Sequence, residues 1–414
     1  MNAAVHERRH PRRCAACSAA LVLALSAAAA ADPDAAPADA WPMARGCLAG
    51  TGRSAAVLRL PLEEAWRRDF EKTAFGAVPV IAAGTIYVGD LDGTFHALSL
   101  ESGETRWSFK AEAAGFPAAA AVSTAPEAAV VVVGDDAGVV RAFDRDTGEL
   151  RWAHETEGEI SGGPTILPTA AGPRVLVGSQ DASLTCLDLV GGTVVWTFTI
   201  ADQIRCAPTV ARTKEGDRVL IAGCDGRLHV VDATTGKETA AVPIDGPTGT
   251  TPATAGDVAF FGTEGGTFFA IDAVEQRVAW QMRAAAGGQS YRSSAALADG
   301  LVIVGSRGRA VEAFARADGA RAWRRPMRGR VDASPVVVTA SGGAGGQNGD
   351  PREVALVADA AGRIAALDAK TGEPAWEFEA GGGFGGGPAV AADRVVIASD
   401  DGRIWCFRSR AETP

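Results

Sequence analysis

The sequence predicts an all-β protein, an eight-bladed β-propeller of four-stranded antiparallel blades. Three observations predict it: a segment of about 44 residues recurs along the chain, each copy holds short apolar strands separated by turns, and most copies carry a tryptophan at the same place. Of the 414 residues, 50 are glycine and 47% are hydrophobic. A period of about 40–45 residues with four strands per unit is typical of propeller blades.

The clearest copies of the recurring turn are "AFDRDTGELRW", which ends at Trp152, and "ALDAKTGEPAW", which ends at Trp376. Asp144 can accept hydrogen bonds from the backbone N–H groups that follow it and so close the turn. Gly148 supplies a positive φ that other residues adopt only at a cost. The tryptophan then begins the outermost strand, where its ring can cover the neighbouring blade while its indole N–H finds a carbonyl. The corresponding turn residues of the second copy are Asp368 and Gly372.

Degenerate copies of this turn set the number of blades. Ala240 stands where an eighth tryptophan would be, and the spacing along the series is 41, 45, 44, 44, 40, 43 and 53 residues. The last interval is long because "SGGAGGQNGD", residues 341–350, is inserted, and we interpret it as a loop. The tryptophan positions are Trp66, Trp107, Trp152, Trp196, Trp280, Trp323 and Trp376.

Closure of the ring also follows from the repeat. Only three strands follow Trp376, and the strand of Trp66 near the N-terminus has no partner strands before it. We therefore predict that the N-terminal strand joins the last blade, which would also cover an open sheet edge. An open arc of eight blades is the alternative.

The first residues predict export. Basic "ERRHPRR" is followed by apolar "CAACSAALVLALSAAAAA", the layout of a secretory signal peptide, with an uncleaved membrane anchor as the alternative. The predicted organisation is a signal peptide at 1–31, a lead-in segment at 32–56, one propeller domain at 57–408 and a tail at 409–414. The expected location is the periplasm or the exterior of a Gram-negative-type bacterium.

The remaining composition limits the partners. After the predicted signal peptide the sequence has no run of eighteen apolar residues, so we predict no transmembrane segment in the mature chain. The net charge of −10 argues against non-specific attraction to nucleic acid or anionic lipid. We expect a monomer that binds a protein partner, whose identity the sequence does not give.

The pattern Ala-x-Asp-x-x-Thr-Gly-x-x-x-Trp resembles the tryptophan-docking motif of the PQQ-repeat, or quinoprotein-like, β-propellers. The resemblance covers residues 41–408, and "WPMARGCLAGTGRS" at 41–54 looks like the lead-in of secreted bacterial members. It implies either a quinoprotein dehydrogenase, with PQQ and calcium at the ring centre, or a non-enzymatic scaffold similar to BamB, the outer-membrane assembly factor. The copies that depart from the motif have Ser99 or Ala315 for Asp, Gly191 for Thr, and Gln276 for Gly.

We predict the scaffold. The resemblance implies that an enzyme would carry an adjacent Cys-Cys pair, which is absent, and carboxylates on inner strands such as "GPTILPT", 163–169, which nearly lack them. No catalytic, cofactor-binding or metal residue is therefore assigned, and PQQ and calcium belong only to the alternative, a PQQ-dependent dehydrogenase. A carbohydrate-binding propeller is disfavoured because the chain has only two tyrosines.

Acidic turns follow the second strand of most units and should share one face, called here the acidic-turn face. Calcium would need several oxygens that converge at about 2.3–2.6 Å, whereas turns on separate blades are spread around a ring. Asp-Gly also suits tight hairpins, so we predict turns, not a metal site. The histidines His96, His154 and His229 lie in different units, which argues against zinc. The acidic turn residues are Asp90, Asp92, Asp135, Asp136, Asp181, Asp225, Asp359, Asp400 and Asp401.

Two cysteines suggest a disulfide hypothesis. If Arg212 faces Arg218 across a hairpin, antiparallel pairing places Cys206 opposite Cys224, close enough to be joined in an exported protein. The alternative is a pair of small apolar side chains.

Partner binding is expected on the acidic-turn face, where the loops that lead into the inner strands vary most. Tyrosine and arginine are enriched at interface hot spots. The candidate interaction residues are Arg205, Tyr291, Arg292, Arg328, Arg330 and Phe384.

Overall fold

The structure, a computed structural model, describes residue 1 and residues 34–123, 125, 128–284, 290–343 and 350–410. The described residues of the compact unit Asp32–Pro414 form eight blades of antiparallel strands, which confirms the predicted propeller. The predicted signal peptide and the tail beyond residue 410 lie outside the described residues, apart from Met1. No helix in the described part of the chain has the length and apolar character needed to cross a membrane.

The blades are numbered from the first complete one along the chain. Blades 1 to 4 are built from β3 Val80–Ala82, β4 Thr85–Gly89, β5 Thr94–Ser99, β6 Thr105–Lys110; β7 Ala121–Val122, β8 Val130–Gly134, β9 Val139–Asp144, β10 Leu150–Glu155; β11 Thr165–Leu167, β12 Arg174–Gly178, β13 Ser183–Asp188, β14 Val194–Thr199; and β15 Thr209–Thr213, β16 Gly216–Ala222, β17 Arg227–Asp232, β18 Glu238–Pro243.

Blades 5 to 8 follow the same plan and include two strands from the N-terminal end. They are built from β19 Ala253–Ala255, β20 Val258–Gly262, β21 Thr267–Asp272, β22 Arg277–Arg283; β23 Ala296–Ala298, β24 Leu301–Ser306, β25 Ala310–Ala315, β26 Arg321–Pro326; β27 Val336–Gly342, β28 Arg352–Ala358, β29 Arg363–Asp368, β30 Pro374–Glu379, with β1 Arg53–Leu60; and β31 Ala389–Ala391, β32 Arg394–Ala398, β33 Arg403–Ser409, with β2 Leu62–Asp69.

Burial changes from the hub of the wheel to its rim. The second strand of a blade, such as β8 with its sequence VVVVG, is buried along its whole length, as expected for a strand covered on both faces. The fourth strand, such as β14, alternates between half-buried and exposed positions. The core therefore lies between neighbouring blades, and the outermost strands face solvent on one side.

The N-terminal end closes the ring as predicted. Strand β2 pairs antiparallel with β33, which places Trp66 opposite Cys406, and so supplies the fourth strand of blade 8. Strand β1 was not expected in a sheet. It pairs parallel with β27, the innermost strand of blade 7, and gives that blade a fifth strand.

Six of the seven docking tryptophans contact the recurring turn of the next blade. The indole N–H of Trp107 donates to the carbonyl of Arg145 at 3.0 Å, and the Trp107 ring lies against Gly148, where an added Cβ would stand 2.6 Å from a ring carbon. In that turn Asp144 accepts hydrogen bonds from the backbone N–H groups of Asp146 and Thr147. The other ring-to-glycine pairs are Trp66 with Gly103, Trp152 with Gly192, Trp196 with Gly236, Trp280 with Gly319 and Trp323 with Gly372. The ring of Trp376 packs instead against Phe378 and Phe407.

A glycine at this junction and one in a hairpin turn away from it separate backbone strain from ring contact. Gly148 and Gly300 both have positive φ, 76° and 69°, but an added Cβ at Gly300 meets no atom within 4 Å. We expect Gly300→Ala to lower the free energy of unfolding by about 1 kcal/mol. Gly148→Ala should lower it by about 2–4 kcal/mol, since the methyl group also displaces the Trp107 ring.

The measurement is the shift of the urea unfolding midpoint of each variant under the same conditions. Equal shifts for the two variants would contradict the ring-to-glycine contact as the basis of the blade junction.

Candidate functional site

On the acidic-turn face, the loop that leads into each inner strand places one side chain between two blades. We call these eight side chains the wedge residues. The backbone N–H of Phe116, for example, donates to the carbonyl of Asp90 in the preceding blade at 2.9 Å, and an added Cβ on Gly89 would stand 2.2 Å from Phe116 Cβ. The wedge residues are Phe75, Phe116, Ile160, Ile204, Thr248, Tyr291, Val331 and Phe384.

Two predicted interaction residues prove to be wedge residues, so their assignment to a binding surface was wrong. Tyr291 is 0% exposed and Phe384 is 1% exposed. Tyr291 lies against Gly262, and its hydroxyl donates to Glu312 at 3.2 Å. Burial and the nearby Glu312 carboxylate raise the pKa of Tyr291. Both side chains fill gaps between blades and do not reach a partner.

The wedge residues share a sequence signal that lies outside the tryptophan-docking motif. Six of the eight stand four residues before a proline at the start of the inner strand. Alignment on that proline would have placed Phe384 in a buried series. The prolines are Pro79, Pro164, Pro208, Pro252, Pro335 and Pro388.

The other interaction candidates reach the surface of the acidic-turn face. The side chains of Arg292, Arg328 and Arg330 are 46%, 62% and 58% exposed, and that of Arg205 is 29% exposed. Ion pairs join Arg292 to Glu264 at 3.3 Å and Arg330 to Asp332 at 3.1 Å. Ion pairs this exposed contribute little to folding.

The acidic turns serve their own blades. Asp90 accepts from the backbone N–H of Thr94 at 2.7 Å and contacts the ring of His96 at 3.0 Å. His229 lies between two carboxylates, 3.0 Å from Asp225 and 2.7 Å from Glu238. In the described part of the chain no group of three His, Cys, Asp or Glu could hold a metal ion.

The disulfide hypothesis fails on register. The hairpin pairs Arg212 with Asp217, so the pairing is one residue away from the one assumed, and a slip of one residue turns side chains to opposite faces. Cys206 and Cys224 are both free. Cys206 Sγ contacts the carbonyl of Ala222 at 3.6 Å, and burial raises its pKa to about 12.

The hub of the propeller holds residues of the predicted lead-in segment. We call residues 36–52 the hub segment. Hydrogen bonds join it to the inner strands of blades 1, 2, 4, 5, 6 and 7, in chain order. In each of these blades the bonded residue of the inner strand lies six positions after the wedge residue. The pairs are Trp41 with Ile81, Pro42 with Val122, Leu48 with Val210, Ala49 with Thr254, Thr51 with Leu297 and Gly52 with Val337, at 2.8–2.9 Å.

Glycines allow the hub segment to fold back on itself. Gly46, at φ 83°, lies against the fully buried ring of Trp41, where an added Cβ would stand 2.8 Å from a ring carbon. Gly52, at φ 62°, leaves room for the Arg45 guanidinium, whose Nη2 lies 1.9 Å from the position of an added Cβ. Nothing repeats in this segment, so periodicity could not reveal its place.

The hub residues do not fit a quinone and calcium. Residues 36–52 hydrogen-bond to the inner strands around the hub, and none of the eight innermost strands, as described, carries Asp or Glu. Calcium needs several oxygen ligands, commonly carboxylates.

Comparisons with known proteins agree with this architecture. A family profile described as outer membrane protein assembly factor BamB matches residues 63–155, 136–215, 211–330 and 307–411. No curated protein sequence matches the chain.

Three solved structures share the fold. BamB from Moraxella catarrhalis has a TM-score of 0.65 at 18% identity and covers 84% of this chain and 99% of its own. The computationally designed Ika8 protein has a TM-score of 0.65 at 15% identity, with the same coverage. A europium-containing methanol dehydrogenase has a TM-score of 0.66 at 13% identity and covers 89% of this chain and 98% of its own. At these identities the likeness concerns the fold alone.

The wedge residues yield a direct test against the surface arginines. We expect Tyr291→Ala and Phe384→Ala each to lower the free energy of unfolding by about 3–5 kcal/mol, since each leaves a cavity between blades. Arg292→Ala, on the same face, should change it by less than about 0.5 kcal/mol. Urea unfolding monitored by tryptophan fluorescence measures all three. A Phe384→Ala protein as stable as the parent would contradict the wedge role.

Proposed function

The chain belongs to the family of PQQ-repeat propellers described as outer membrane protein assembly factor BamB, and from that premise we propose an exported, non-catalytic, protein-binding scaffold. It acts as a monomer in the envelope of a Gram-negative-type bacterium, where it takes part in outer-membrane protein assembly. The observation that carries the proposal is the hub segment, because Trp41, Arg45 and other residues of the chain itself lie buried against the inner strands, where a small substrate or cofactor would sit.

The acidic-turn face is the surface we assign to the partner. Its exposed arginines lie on loops between blades, and the wedge residues hold those loops by their backbone and by buried side chains. Arg292 and Arg330 therefore stand on a rigid base, and a rigid base lowers the entropy that binding must overcome. Their modest ion pairs with Glu264 and Asp332 can be exchanged for pairs with acidic groups of a partner.

The alternative function is a PQQ-dependent dehydrogenase, because the europium-containing methanol dehydrogenase has the same fold. Two observations argue against it: the inner strands lack carboxylates, and the hub segment is hydrogen-bonded to the inner strands of six blades.

Charge reversal on the acidic-turn face, compared with the opposite face, tests which face binds the partner. We expect the double variant Arg292→Glu, Arg330→Glu to capture its protein partners from envelope extract at least about tenfold less than the parent, because like charges then face each other. Arg277→Glu is the matched control, since Arg277 is exposed at the start of β22 on the opposite face. Quantitative mass spectrometry of the captured proteins gives the ratio, and equal capture by both variants would overturn the assignment of the face.

Addition of the cofactor distinguishes the scaffold from a PQQ-dependent dehydrogenase. Purified protein mixed with PQQ and calcium, and separately with PQQ and europium, should show no quinone absorbance after gel filtration, because the hub segment is bonded to the inner strands and those strands lack carboxylates to hold the metal ion. Quinone that elutes with the protein at one equivalent would reject the non-catalytic function.

A further inference from the structure

Arg45 is a charged side chain buried in the hub. Only 4% of the surface of Arg45 is exposed to solvent. One guanidinium nitrogen, Nη2, donates to the carbonyls of Ala295 and Pro335, each at 2.8 Å. Its Nε is buried with no hydrogen-bond partner. Burial lowers the pKa of Arg45 to about 10, so the side chain still carries its positive charge at neutral pH.

No carboxylate balances this charge. Among the described residues Arg45 forms no ion pair, although 26 contacts between a basic and an acidic side chain are found there. The nearest titratable group is the thiol of Cys47, and burial raises its pKa, which keeps it neutral. A buried charge without a counter-charge costs several kcal/mol. Two neutral carbonyls offset only part of that cost.

A small cavity adjoins Arg45 and offers hydrogen-bond donors. Arg45 lines it together with Met43, Cys47, Thr165, Thr209 and Thr251. The hydroxyls of Thr165 and Thr209 donate to carbonyls of the next blade. The Thr251 hydroxyl accepts from the N–H of Ala207 at 3.2 Å and has no acceptor for its own hydrogen among the described residues.

The size of the cavity selects the ligand class. Its volume of about 10 Å³ is room for about one sphere of the size of a water molecule. A carboxylate, phosphate or quinone is much larger than this space, so a single monatomic anion is the class of anion nearest to it in size. We propose that Arg45 and Thr251 bind one halide ion, chloride in the cell, in the hub of the propeller. The ion supplies the counter-charge that the hub segment lacks, and this role is independent of the protein partner proposed above.

Crystallography of the full chain with sodium bromide as the only halide salt tests the site directly. We expect a bromide anomalous peak in the hub, within hydrogen-bonding distance of the Arg45 guanidinium. Density there without anomalous signal means a water molecule and overturns the proposal.

Thermal melting tests the site in solution. At constant ionic strength, replacing gluconate by chloride should raise the melting temperature of the parent by about 1–4 °C in a saturable manner, because only the folded hub binds the ion. Arg45→Met should lose this dependence on chloride, whatever its own stability. Arg292→Met, which removes an exposed guanidinium, should keep it.

Equal chloride dependence in Arg45→Met and the parent would overturn the proposal. Should Arg45→Met not fold, the bromide experiment on the parent protein decides alone.

Discussion

The contact between an indole ring and the glycine of the next blade is the constraint on which the wheel depends. The ring can approach that turn only where no Cβ intervenes, and the turn itself needs a positive φ, so two independent requirements select glycine at one place. The indole N–H then donates to a turn carbonyl, as Trp152 does to Leu189 at 2.8 Å. One motif therefore shapes a turn within a blade and joins that blade to its neighbour.

The one junction without a tryptophan shows how the two requirements are linked. Ala240 stands at the docking position of blade 4, and the turn it faces in blade 5 has Gln276 in place of glycine, still with a positive φ of 54°. Because no ring packs against position 276, a side chain there costs only the backbone strain of a positive φ. The Gln276 amide extends to the carbonyl of Thr239 at 3.5 Å. Ring contact, more than the turn, thus accounts for the glycines elsewhere in the series.

Periodicity determined what the sequence could predict. The eight blades and the clasp of β2 on β33 follow from a spacing that repeats, and the structure has both. Tyr291 and Phe384 were misassigned because the loops that carry them differ in sequence, and only the position before a proline identifies them as buried. Cys206 and Cys224 were paired in error because one residue of register, which turn geometry sets, reverses the face of every side chain. Arg45 lies in a segment that occurs once, so no other copy could indicate its burial.

The hub segment changes how the repeat array holds together. In a repeat protein each unit contacts only its neighbours, and stability is approximately a sum of local terms. The hub segment instead bonds seven blades at once, because Ala38 also accepts a hydrogen bond from the N–H of Ala392 in blade 8. Arg45 adds contacts to blades 6 and 7 through Ala295 and Pro335. Residues 53–69 also pair with strands some 280 to 350 positions later in the chain. Contacts of such long range carry a large loop-closure entropy, which slows folding relative to contacts between neighbouring units. Residues 36–69 therefore bind the blades into a single cooperative unit, which leaves the loops of the acidic-turn face, different in sequence from blade to blade, outside the contacts that hold the hub together.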